Sequence, residues 1–161
     1  MIRAFLIGES DLFDPVAYFA SLEHTLRGCK TYADATGPFA TISRDRFGKW
    51  EWCTWRLEVA FPDGCELTAF ESHTMRKGKH LRHLIYRFTK ADGELIVQVD
   101  PHGGQVAFNV TPHIHIGPDQ DNRVYEGNEQ LKGYSLRDYD FLKMWELVET
   151  YINGGGLPWQ T

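Results

Sequence analysis

Apolar residues recur along the chain with two different periods, and the change of period divides it into helix, sheet and helix. Near the start, Val16, Phe19, Leu22 and Leu26 return every three or four positions, the spacing of one helical face. Asp14 ahead of Pro15 supplies an N-cap and a first-turn proline, and Gly28 is placed to stop the helix. Residues 2–8 read as a short strand before it. Residues 30–49 are broken by Gly37-Pro38 and Gly48, with a strand expected over 39–43.

From Lys49 to Gly117 the pattern changes to period two and predicts an antiparallel meander. Asp63-Gly64 and Asp92-Gly93 are hairpin signals, and centring each hairpin on its Asp-Gly pair fixes a register. The first pairs Leu57 with Phe70 and Val59 with Thr68 on one face, and Arg56 with Glu71 as a charge pair on the other. The second pairs Phe88 with Val97 and Tyr86 with Val99 on a core face. A slip by one residue would set Tyr86 against Gln98, so it is rejected. The opposite face then carries Arg87 beside Gln98, His83 beside His102, and Asp100, with Pro101 ending regular pairing.

Residues 105–116 read as the next strand. His113 and His115 face the same way on it, with Cα atoms about 6–7 Å apart. Residues 117–134, with Gly117-Pro118, Gly127 and Gly133, read as a long loop. Ser135 is the expected cap of a C-terminal helix with Asp138 in its first turn and Phe141, Trp145, Val148 and Ile152 as its apolar stripe. The glycines at 154–156 end it. No repeat and no second domain is evident, so residues 1–161 are read as one domain. The expected fold class is α+β: an antiparallel sheet of about five to six strands flanked by an N-terminal and a C-terminal helix.

Composition narrows the function classes. Hydrophobic residues are 42% of the 161, enough for a real core, and the net charge of -5 excludes a uniformly basic nucleic-acid binder. One basic cluster remains, Arg76 to His83, with Arg82 within it; it reads as an RNA-contact strip or a solvated strand edge. The 3 cysteines form no CxxC, which suggests reduced thiols and a cytoplasmic location. No secretory leader and no membrane span is expected. Trp50 and Trp52 share a face, with Trp55 on the other, and core packing outweighs base stacking for them. Phosphate-loop, dinucleotide and serine-hydrolase motifs are absent.

The histidines carry the candidate chemistry. His83, His102, His113 and His115 fall in or beside the second hairpin and the following strand. Two imidazoles with a guanidinium fit acid–base cleavage of a phosphodiester: one removes the 2′-hydroxyl proton, one protonates the leaving oxygen, and Arg87 stabilises the phosphorane. The same HxH segment with His102 or Asp100 fits a three-ligand zinc site. A third reading is structural, with polar strand residues fixed by hydrogen bonds.

The order of motifs resembles a known family. Asp14-Pro15-Val16-Ala17-Tyr18-Phe19 opens it, Arg56-Leu57-Glu58-Val59-Ala60-Phe61-Pro62-Asp63-Gly64 follows, then YRFTKADGELIVQVDPH at 86–102 and TPHIHIG at 111–117. This is similar to the TumE-like proteins, toxin components of bacterial toxin–antitoxin systems. Tyr86, Asp100, Pro112, His113 and His115 stand at motif positions, while Gln98 replaces an arginine and Arg87 a histidine. The resemblance implies growth inhibition and an antitoxin partner. The mechanism rests instead on the predicted shared face, where the expected site has His113, His115, His102, Arg87 and Asp100 as catalytic groups, with His83, Gln98, Tyr86 and Arg82 contacting an RNA substrate. No cofactor is expected on the acid–base reading, and zinc at His113 and His115 on the other. A non-catalytic protein-binding module is the further alternative.

Overall fold

The computed structural model describes residues 13–29, 31–77, 79–100, 112–119, 121–137 and 139–160. The strand expected over residues 2–8 lies outside them. The fold is α+β, as the pattern predicts: helix α1 (Pro15–Gly28), strands β1 (Asp34–Arg44), β2 (Trp50–Ala60), β3 (Glu66–Arg76), β4 (Lys79–Thr89), β5 (Leu95–Val99), β6 (His113–Ile116) and β7 (Arg123–Tyr125), and helix α2 (Phe141–Ile152). The strands form one antiparallel sheet in chain order. The short β7 lies inside the segment expected to be loop; three residues are too few for a period to register.

The hairpins β1–β2, β2–β3 and β4–β5 share one loop. In each, a backbone bond closes five residues (Asp45 N to Lys49 O, Phe61 N to Cys65 O, Lys90 N to Glu94 O), and a glycine sits left-handed at the fourth position. Three loop residues ending in such a glycine form a type I turn with a bulge. At Asp63-Gly64 this replaces the expected two-residue turn and shifts the ladder by one. Leu57 opposes Ala69, Val59 opposes Leu67, and Trp55, not Arg56, opposes Glu71. At Asp92-Gly93 the same loop pairs Thr89 with Leu95. A bulge at Ile96 then restores Phe88 with Val97, Arg87 with Gln98 and Tyr86 with Val99, the register expected.

Both helices cover one face of the sheet. Asp14 caps α1 and accepts from Val16 N (2.9 Å), and Phe19, Leu22 and Leu26 are buried, whereas Val16 is exposed. For α2 the cap is Asp140, which accepts from Lys143 N (2.9 Å); Ser135 instead accepts from Arg137 N in a turn ahead of the helix. Phe141, Met144, Trp145, Leu147 and Val148 are buried. They meet Trp55 and Tyr86 of the sheet and Phe61 just past β2, the Phe141 and Trp55 rings edge-on at 5.2 Å. A second bulge, at Glu51, separates two tryptophans expected on one face. Trp50 packs against Phe13 and His80 on the helix side, and Trp52 is exposed.

A methyl group added at Gly28 would have nothing within 4 Å, and the residue keeps an ordinary φ. Gly28→Ala at the end of α1 is therefore expected to raise stability by about 0.5 kcal/mol, through the unfolded chain's lost freedom. Urea unfolding checks this.

Candidate functional site

Strands β4, β5 and β6 alternate side chains between two chemically different faces. Away from the helices, the ladders set Arg87 opposite Gln98, Gln98 opposite His115, and His115 opposite Arg123. Arg87 Nη1 donates to Gln98 Oε1 (3.4 Å). One step along, His113 opposes Tyr125, with their rings 5.5 Å apart. The His113 and His115 rings are 5.0 Å apart and steeply tilted. Both are buried, at 3% and 8% exposure, although they face away from the main core.

Asp100 completes the group. One ligand atom from each of Asp100, His113 and His115 lies within 4.8 Å of the others, and no other such group is found among the described residues. The expected convergence of Arg87, Gln98, Asp100, His113 and His115 on one face is therefore present. His83 shares the face but sits four residues from Arg87, about 13 Å along the strand, beside the Phe70 ring at 6.4 Å. His102 lies outside the described residues.

Two expected site residues belong elsewhere. The sequence places Arg82 and Tyr86 against substrate beside the histidines, yet alternation along β4 turns both to the helix side, opposite to His83 and Arg87. There they join a polar centre that sequence reasoning missed. Its hub is Glu71, with 0% exposure. Glu71 Oε1 accepts from Tyr18 Oη (2.8 Å), Arg82 Nη2 (3.1 Å) and Tyr86 Oη. Glu71 Oε2 pairs with His73 Nε2 (2.8 Å), and His73 Nδ1 with His80 Nε2 (2.9 Å). Arg82 also donates to the Tyr139 carbonyl (2.8 Å).

Electrostatics within this centre are set by burial and by Arg82. Burial alone would raise the Glu71 carboxyl; Arg82, then His73 and Tyr86, outweigh it and hold it well below the usual carboxylate range. Burial and then Glu71 push Tyr18 and Tyr86 upward, so both stay protonated donors. Burial, followed by His73 and Arg82, lowers the His80 imidazole to about 4.

Acid therefore destabilises the fold through both groups. As pH falls, unfolded His80 takes its proton near 6.5 and folded His80 only near 4, so stability declines between those values. Glu71 adds to the loss once pH drops below its unfolded value of 4.5. Urea midpoints are expected to fall steadily from pH 7 to pH 4, and His80→Gln to flatten the part above pH 4.5.

The cysteines offer no nucleophile at either centre. Cys53 and Cys65 are buried, and burial pushes their thiols up to about 12 and about 11. Cys29 donates to Glu149 Oε1 (2.8 Å) at the other end of the helical layer.

Comparison of the chain with protein-family models, curated proteins and solved structures finds no match. The resemblance to TumE-like toxins rests on the motif residues alone.

Proposed function

We propose that the protein is a metal-dependent hydrolase of phosphodiesters, RNA being its substrate, with a divalent ion held by Asp100, His113 and His115. The observation that carries this is the approach of their three ligand atoms to within 4.8 Å of one another. Two imidazoles and one carboxylate are a donor set of catalytic zinc, which keeps a fourth position open. A bound ion supplies a Lewis acid and an acidified water. Arg87 and Arg123 stand in the His115 row on either side, two to one strand away, and give positive charge for phosphate oxygens.

The convergence of a carboxylate with both imidazoles supports this over an acid–base pair at the same residues, since three donors aimed at one point are what a metal ion requires. A role as a toxin with an antitoxin partner is proposed on the family resemblance and is checked by co-purification with the product of a neighbouring gene.

Elemental analysis of purified protein is expected to find near-stoichiometric zinc or another divalent metal. His113→Ala should lower zinc affinity at least about 100-fold, beyond the 10–100-fold that loss of an outer-shell partner costs, while the melting temperature moves by a few degrees. RNA cleavage should stop in chelator and return with metal. Full cleavage by metal-free protein would overturn the metal assignment, and zinc binding without any cleavage would overturn the hydrolase assignment.

A further inference from the structure

On the face away from the helices, the row of side chains that holds the proposed metal ligands continues across the whole sheet. His113 opposes Tyr125 of β7. Asp100 stands one step past the Tyr86–Val99 and Val99–Ile114 pairs, between Ile85 of β4 and His113 of β6. Ile85 opposes Phe70 of β3, Phe70 opposes Arg56 of β2, and Arg56 opposes Phe39 of β1. One row thus crosses all seven strands from Phe39 to Tyr125, a path of about 29 Å at the usual strand spacing.

This face carries rings without an apolar layer to cover them. The aromatic contacts of α2 are all made on the other side of the sheet. Five large apolar side chains are exposed among the described residues, and three of them, Phe39 (57%), Trp52 (41%) and Tyr125 (44%), stand on this face. Scattered exposed rings are ordinary, but rings gathered on one side of a sheet mark a binding surface. Guanidiniums lie among them. Arg56 is in the row itself, and Arg87 and Arg123 are in the row beside it. Arg56 has only a loose partner, Glu58 at 3.8 Å, with both side chains more than half exposed. The other carboxylates of β1 to β3 on this side, Asp34 and Glu66, stand at one end of the strands, beyond Glu58.

We propose that the substrate is single-stranded RNA laid across the sheet along this row, with bases on Phe39, Phe70 and Tyr125 and phosphates toward Arg56, Arg87 and Arg123. The inference rests on the RNA reading given above and names the form of that RNA. A duplex keeps its bases inside and is recognised by shape and by 2′-hydroxyls, whereas an unpaired base offers a face to stack on an aromatic side chain. Rings interleaved with arginines fit the second kind of ligand. The order within the row supplies the link to the chemistry: Asp100 and His113 lie between Phe70 and Tyr125. A strand stacked on both rings carries its backbone over the proposed metal.

The test is fluorescence anisotropy of a labelled RNA of about ten nucleotides, within the length such platforms cover, alone and annealed to its complement. The full-length protein is kept in chelator, so binding is read without cleavage. The single strand is expected to bind at least about tenfold more tightly than the duplex, with a log–log salt slope near about −2 for three arginine contacts. Phe39→Ala and Tyr125→Ala should each weaken it about tenfold, the scale of one stacked base. Phe39→Tyr should keep the affinity and Phe39→Leu should not. Equal affinity for the two forms, no affinity for either, or alanine variants that bind like the unaltered protein would overturn the proposal. So would a concentration-dependent dimer dissolved by Phe39→Ala, which gives the face to a second copy. Cleavage with metal is scored separately. Equal cutting of duplex and single strand removes this inference and keeps the hydrolase assignment; stacking-dependent binding without cutting does the reverse.

Discussion

Glu71→Gln lowers the unfolding free energy by about 3–5 kcal/mol, the cost of breaking a buried ion pair from one side. The amide is nearly isosteric, so packing is kept. What is lost is the charge that offsets Arg82, whose Nη2 lies 3.1 Å away and whose side chain is about 10% exposed. An amide NH₂ in the Oε1 position would also meet the donors from Tyr18 and Tyr86. A domain of this size loses about 2–4 °C of melting temperature per kcal/mol, so a fall of roughly 10 °C is expected. Glu71→Gln with Arg82→Met should be more stable than Glu71→Gln alone, since the uncompensated cation is gone. Calorimetry on the two single variants and the double variant measures the coupling. A change under about 1 kcal/mol for Glu71→Gln would show the pair to be far better solvated than its burial implies.

Gly117→Ala is the second large effect. A methyl group built on Gly117 would stand 1.6 Å from the Leu95 carbonyl oxygen and 2.5 Å from its carbon. Backbone cannot yield as a flexible side chain does. Gly117 N also donates to Ile96 O (3.1 Å), which pins the end of β6 against the bulge of β5. The alanine must drive the two strands apart, and a loss of about 3 kcal/mol, the upper range for overpacking, is expected. His115 lies two residues before Gly117, so at the proposed metal site zinc affinity should fall as well, without any of the three proposed ligands having been touched. Denaturation with and without zinc separates the two consequences. An unchanged melting temperature would mean that β6 is not held to β5 as tightly as this contact requires.

The helices, the meander and the histidine face are legible in the residues because each rests on a local period. His113 and His115 are two apart on one strand, and Arg87 and Gln98 meet through a register that a core face of Phe88, Tyr86, Val97 and Val99 enforces. That register matches the expected one although the turn does not. The loop is one residue longer than a two-residue turn, and the bulge at Ile96 cancels the difference.

No such bulge follows Asp63-Gly64. There the longer loop turns every β3 side chain to the other face, since side chains alternate with a period of two. The expected surface pair of Arg56 and Glu71 hides the buried Glu71 centre for that reason. Nothing in composition separates the two alignments sharply: Leu57 meets an apolar neighbour in either, Phe70 or Ala69. The signal that favours the observed one is Val59 against Leu67, where the other sets Val59 against Thr68. His73 and His80 also require long-range knowledge, because they become neighbours only once β3 and β4 are aligned.

Strand β4 presents Arg82 and Tyr86 to one side and His83 and Arg87 to the other, so the thickness of a single polypeptide divides the two polar chambers. Sliding that strand by one position would exchange the side chains presented to the two faces and break up both sets of contacts at once. The long ladder from Glu66–Thr89 to Arg76–Lys79 thus acts as a key as well as a scaffold: it permits only the alignment in which each compartment receives its own set of groups.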